Sequence, residues 1–192
     1  MESIQRVMVD PSESFIMSEA GNSFAWANHS LLFPRAGRYR VSTAWGSMGH
    51  AVSGVLGASL NHGDKAIAIA GDGAMLMNNE LSTAVQYGVA AVWIILNDSQ
   101  YGMIEHGMRG SGYIPAGTEI PRVDFVGLAR AVGADGVKVT SEEDLDAALE
   151  MAMKADRPFV VDVMIDPDEP PPVGARVEKL REQGVNAVPG ED

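Results

Sequence analysis

The sequence predicts a doubly wound α/β domain, a mostly parallel sheet with helices on both faces, and three observations carry that prediction. Two short runs, AIAIA over 66–70 and AVWIIL over 91–96, are apolar at almost every position. A strand of that kind must be covered on both faces, as in a parallel sheet held between helix layers. Such runs alternate along the chain with segments of helical spacing, the order that βαβ units impose. The run at 66–70 also leads straight into Gly71-Asp72-Gly73, and ligands of parallel sheets collect at the carboxyl ends of strands.

Each element has its own justification. Strands are expected at 15–17, 39–42, 66–70, 91–96, 136–139 and 158–165, where short apolar runs are bounded by turn residues. The stretch 49–60 is rich in small residues and is expected to be a helix lying close to the sheet. Leu81, Ala84 and Val85 give 79–87 helical spacing, and Asp124 is a candidate cap for a helix over 124–132. The clearest helix start is Ser141-Glu142-Glu143-Asp144, ahead of Leu145, Ala148, Leu149 and Ala152. A capping hydroxyl and early acids complement the exposed amides of a helix N-terminus.

Two regions break the alternation. Residues 105–121 are glycine-rich without apolar periodicity and are expected to be a surface loop that orders on ligand binding. Asp-Pro-Asp-Glu-Pro-Pro-Pro from Asp166 cannot continue a strand or helix. The domain is therefore expected to span 1–166, with 167–192 a Pro-rich extension carrying a short amphipathic helix over 173–183.

Composition narrows the function. Acidic residues number 26 and basic ones 14, a net charge of −12, and such a field repels phosphate backbones and anionic lipid. Neither nucleic acid nor a membrane surface is an expected partner. The chain has no cysteine, which excludes disulfides, thiolate metal sites and cysteine nucleophiles. No apolar run reaches the ~20 residues that span a bilayer, and the N-terminus does not read as a signal peptide. The expectation is a cytoplasmic chain.

The chemistry concentrates at two predicted strand tips. Gly71-Asp72-Gly73-Ala74 places a carboxylate beside free backbone amides, which suits a divalent cation bridging a diphosphate. The following strand ends in Leu96-Asn97-Asp98-Ser99, again with oxygen ligands at its tip. Taken singly, each tripeptide also reads as an ordinary turn. Together, Gly71-Asp72-Gly73, 23 intervening residues and Asn97-Asp98 resemble the thiamin-diphosphate motif. Ser42-Thr43-Ala44-Trp45-Gly46-Ser47-Met48-Gly49 is similar to the glycine-rich passage that precedes this motif in acetolactate synthase and pyruvate decarboxylase. Asn97-Asp98-Ser99-Gln100-Tyr101-Gly102-Met103 resembles the segment that ends it in acetolactate synthases, and Gly21-Asn22-Ser23-Phe24-Ala25-Trp26-Ala27 their upstream segment. The similarity runs in order over roughly 14–166. The chain thus resembles the diphosphate-binding domain of thiamin-diphosphate enzymes of the acetolactate synthase type.

The resemblance implies roles. Asp72, Asp98 and the carbonyl of Gln100 would ligate Mg²⁺, with Asp98 standing where the family has asparagine. Asn22, Ser23, Ser47, Gly71, Gly73, Ala74, Tyr101 and Gly102 fall at cofactor-contact positions. Met48 takes the place of the bulky residue that bends the cofactor, although methionine also fills core gaps. The carbonyl of Gly46 would accept from the cofactor's amino group, and Met103 matches a substrate-pocket residue. Among His29, His50, His62 and His106, only His106 has a context that suits proton transfer to substrate. Gly107 replaces a tryptophan that shapes acceptor choice in acetolactate synthases, so a larger or remodelled acceptor pocket is expected.

The implied reaction is decarboxylation of a small 2-oxo acid and ligation of the resulting acyl group to a carbonyl acceptor. An alternative is the β subunit of a split 2-oxo acid decarboxylase, of the sulfopyruvate or phosphonopyruvate type, releasing an aldehyde. A non-catalytic cofactor-binding module is a third. In the family an activating glutamate sits on a separate pyrimidine-binding domain. The residues ahead of the first predicted strand are too few to hold it, so a partner subunit is expected to bring it, in an α2β2 assembly.

Overall fold

A computed structural model of the chain describes residues 1–62, 65–77 and 79–174. Its strands are β1 Phe15–Ser18, β2 Tyr39–Val41, β3 Ala66–Gly71, β4 Val92–Asn97, β5 Asp135–Val139 and β6 Phe159–Met164, each at an expected run. They form one sheet in the order β2-β1-β3-β4-β6-β5, and every neighbouring pair is parallel. The register sets Ile16 beside Ile67, Ile69 beside Ile94, and Ile94 beside Val161.

Alternation along each strand builds two cores. On β3, Ala66, Ala68 and Ala70 face a layer made by α3 (His50–His62), α5 (Leu81–Tyr87) and α7 (Phe125–Ala131). Ile67 and Ile69 face the opposite layer, made by α2 (Asn22–Ser30), α8 (Leu145–Lys154) and the N-terminal residues Ile4, Met8 and Val9. Those N-terminal residues belong to α1 (Glu2–Ile4) and a π-helical turn, Gln5–Val9. The alanine face lets α3 approach closely, as its small residues predict. A Cβ on Gly54 of α3 would lie 2.8 Å from the Met17 methyl. The buried Trp93 indole then donates to the Val52 carbonyl at 2.8 Å, tying β4 to α3.

The connections place the site. From β1 the chain passes through α2 to β2 on one side, then through α3 to β3 on the other. The strand order therefore reverses between β1 and β3. In an open α/β sheet the ligand crevice opens at the carboxyl ends of such strands.

Two expectations need correction. The supposed loop over 105–121 begins as α6, Gly102–Gly110. Its glycines dilute the apolar pattern, but Arg109 closes an i, i+4 ion pair on Glu105 at 2.8 Å. The remainder, 111–121, is not helical and returns to bridge Gln100 through Glu119. Ser141 does not cap an amide. Its hydroxyl bonds the Asp144 carboxylate at 2.8 Å, ahead of a 3-10 turn Glu142–Asp144 that leads into α8. Asp124 does cap α7, accepting from the Gly127 amide at 2.9 Å. The helix expected over 173–183 lies, but for its first two residues, outside the described residues. No helix among the described residues is long and apolar enough to cross a membrane.

Candidate functional site

The tips of β3 and β4 are joined through Asp72, the first residue of α4 (Asp72–Met77). Its carboxylate is buried, with 3% exposure. One oxygen accepts from the Gly73 amide at 2.7 Å and the other from the Ser99 amide at 2.7 Å. Ser99 reaches it in a left-handed conformation, φ 58°, alone among the described non-glycine residues. That conformation costs energy for a residue with a Cβ and persists where surrounding contacts fix it. Here the fixing contacts are Tyr101 N to Thr118 O at 2.7 Å and Ile120 N to Ser99 O at 2.9 Å.

Two carboxylates share this corner. Burial, and then the neighbouring charge of Asp98, push the Asp72 carboxyl up to about 6, against the amides that hold it down. Burial likewise raises Asp98. Among the described residues no lysine or arginine pairs with either one. A buried Asp72 beside a half-buried Asp98, with no lysine or arginine paired to either, makes a donor set that suits a divalent cation. Below, Asn97 is turned away from the opening and donates to the buried Asp162 at 2.9 Å.

A pH dependence follows. A carboxyl with a raised folded pKa holds its proton more tightly folded than unfolded. Its contribution to stability is therefore present below pH ~4 and lost as pH rises towards 6. Above 6 the ionised pair destabilises the metal-free domain, and a cation relieves it. Magnesium is expected to raise the melting temperature clearly at pH 7.5 and much less at pH 5. Scanning fluorimetry with and without Mg²⁺ reads this directly, and equal shifts at both pH values would contradict it.

A cavity of about 550 Å³ opens over these tips, within the ~300–1,000 Å³ usual for cofactor sites. It is lined by Asn22 and Ser23 from α2, Gly46 and Met48 ahead of α3, and Gly71, Asp72, Gly73 and Ala74. Asp98, Gln100, Tyr101, Gly102 and Met103 complete the opposite wall. Residues far apart in sequence thus meet at one opening. Ser47 and His106 are not among the lining residues. Gly46 has φ 61°, which glycine adopts without strain. Gly73 lies under the Tyr101 ring, where a Cβ would come within 2.8 Å of a ring carbon. Its amide, expected for diphosphate, donates to Asp72 instead. The Ser23 hydroxyl is turned back to the Glu19 and Ala20 carbonyls.

His106, the expected proton-transfer group, sits behind the wall. Its ring lies between the Asn22 side chain and the Pro167 carbonyl. Glu19 was not singled out by the sequence reading. Fully buried at the end of β1, it accepts from the Ala51 and Val52 amides at 2.6 and 2.9 Å. These are the first-turn amides of α3, so Glu19 caps that helix from a distance. The available signal was an acid placed between a buried strand and Gly21.

Comparison with known proteins agrees with this geometry. Residues 19–163 match the family model of the thiamine pyrophosphate enzyme, C-terminal TPP binding domain. A Mycobacterium tuberculosis protein provisionally named acetolactate synthase large subunit IlvB2 is 33% identical over 155 residues, 80% of this chain and 28% of its own length. A Bacillus subtilis protein, provisionally named thiamine pyrophosphate-containing protein YdaP, is 34% identical over 171 residues, 88% of this chain and 30% of its own. The solved thiamine diphosphate-dependent 4-hydroxybenzoylformate decarboxylase of Rhodococcus jostii superimposes with a TM-score of 0.77 at 27% identity, covering 88% of this chain and 32% of that one. The chain spans less than a third of the length of these relatives. With its parallel sheet, its paired carboxylates and the matched residues, the chain belongs to the thiamine pyrophosphate enzymes, as their C-terminal cofactor-binding domain.

Proposed function

We propose that this chain binds thiamin diphosphate through Mg²⁺ and is the diphosphate-binding subunit of an enzyme that decarboxylates a 2-oxo acid and ligates the acyl group to a carbonyl acceptor. The observation that supports it most is the uncompensated Asp72–Asp98 corner at the carboxyl ends of β3 and β4, on the wall of the cavity. Asp72, Asp98 and the Gln100 carbonyl would hold the cation. Asn22 and the backbone of Gly71 and Ala74 would meet the diphosphate, and Met48 and Gly46 the remainder of the cofactor. When bound, the cofactor supplies a carbon nucleophile and an electron sink. The protein orients it, excludes water with Met48, Met103 and Ile104, and leaves room for substrate.

A partner subunit bearing a pyrimidine-binding domain completes this reading. Its support is the rim of the cavity. Ile104, Met48 and Met103 line the cavity and are exposed, Ile104 by 57%. An apolar rim of this kind is suited to burial against a second domain. A second reading, a decarboxylase that releases the aldehyde, draws on the Rhodococcus jostii likeness and on Gly107.

The test is product analysis. The chain, purified with its partner and supplied with pyruvate and several aldehydes, is expected to give 2-hydroxyketones. Free aldehyde as the sole product would favour the second reading. Absence of magnesium-dependent cofactor binding by calorimetry would overturn both.

A further inference from the structure

His106 makes two contacts, and together they define its hydrogens. Its Nε2 lies 3.0 Å from the Pro167 carbonyl oxygen, and a carbonyl can only accept, so Nε2 carries the proton. In the neutral ring Nδ1 is then an acceptor. The atom facing Nδ1 at 3.3 Å is Asn22 Nδ2, which therefore donates. The Asn22 Oδ1 is buried without a partner. Among the described residues, the bond to His106 is the one hydrogen bond that the Asn22 side chain makes.

Space is tight at the same point. A Cβ on Gly102 would lie 2.8 Å from Asn22 Nδ2 and would overlap an Asp98 carboxylate oxygen. The amide and the carboxylate are packed together over Gly102. An amide in that position has two orientations, nitrogen or oxygen towards the cavity wall. Only one presents an N–H donor to an anion.

We propose that His106 is a positioning residue that sets the Asn22 amide for the cofactor's diphosphate, and that the Pro167 carbonyl sets His106 in turn. The inference rests on the proposed cofactor role of the site. Pro167 also accepts from the Gln100 side chain at 3.1 Å, so the segment after β6 steadies both walls of the opening. His106 then acts through Asn22 and carries no proton to substrate.

Two isosteric replacements separate its nitrogens. In His106→Asn the side-chain oxygen takes the place of Nδ1 and still accepts from Asn22, while the reach to Pro167 is lost. In His106→Gln the amide nitrogen takes the place of Nε2 and keeps Pro167, while Asn22 loses its acceptor. Thiamin diphosphate affinity of the chain purified with its partner, measured by calorimetry with saturating Mg²⁺, is expected to stay within about twofold for His106→Asn. It is expected to fall ~5-fold for His106→Gln, the size of one net hydrogen bond. In an Asn22→Ala background His106→Gln should cost nothing further.

Equal affinities for all variants, or loss in His106→Asn with retention in His106→Gln, would overturn the proposal. So would an additive loss in the Asn22→Ala background. A fold-independent check is the ¹⁵N spectrum of wild-type His106, where the Nε2–H tautomer supports the proposal and the Nδ1–H tautomer overturns it. Failure of the wild-type chain to bind the cofactor would instead remove the cofactor reading, and this inference with it.

Discussion

Replacing Asp72 with alanine is expected to abolish magnesium-dependent thiamin diphosphate binding, with a loss of more than ~100-fold in affinity. Outer-shell partners of a metal site typically cost ~10–100-fold, and Asp72 is proposed to ligate the cation itself. Its two oxygens also hold the strand tips together through the Gly73 and Ser99 amides. Asp72→Asn should lose nearly as much. The amide has one acceptor where the site uses two, so an N–H would face an N–H. Both variants remove a carboxylate whose burial and neighbour disfavour its charge, so the metal-free fold should survive, as circular dichroism would show. Affinity within about threefold of wild type for a folded Asp72→Ala chain would remove Asp72 from the cation site.

The fold was readable where the physics is local or strictly periodic. AIAIA and AVWIIL are apolar throughout because helices cover both faces of the central strands, and the structure buries 66–70 and 91–95 accordingly. Asp124 announced its helix because a cap is a contact between near neighbours. The failure at α6 has an equally physical cause. Gly107 and Gly110 mask a helix that an ion pair and the contact of Glu105 with Thr118 support, and tertiary contacts of that kind leave no periodic trace.

The site was legible to the extent that its residues lie at strand tips. Asp72 and Asp98 could be placed because Gly71-Asp72-Gly73 and Asn97-Asp98, separated by 23 residues, together resemble one motif although each alone reads as a turn. His106 could not, because its surroundings come from Asn22 and Pro167, 84 and 61 residues away in sequence. Glu19 was missed for the same reason. Its partners are amides, and backbone groups have no signature in sequence.

Glu19→Ala is expected to be the most destabilising single change at the site. Its carboxylate is fully buried and satisfies two amides of the first turn of α3, where the helix dipole also favours negative charge. Alanine leaves both donors buried without partners, at ~1–3 kcal/mol each, and adds a cavity. A loss of about 4 kcal/mol is a large part of the ~5–15 kcal/mol that holds a domain, and lowers the melting temperature by ~10 °C. Glu19→Gln keeps an acceptor oxygen for the amides and should lose about a third of that. The functional effect should exceed what stability alone explains. Gly46, Ser47, Met48 and Gly49 lead directly into α3, and Gly46 and Met48 line the cavity. Loosening the helix start therefore loosens the loop that would shape the cofactor. At a temperature where Glu19→Gln remains fully folded, its cofactor affinity should still fall severalfold while magnesium affinity, set by Asp72 and Asp98, is retained. A parallel loss of both affinities would mean that Glu19 holds the domain as a whole. A melting temperature for Glu19→Ala within ~2 °C of wild type would mean that the α3 amides find another partner.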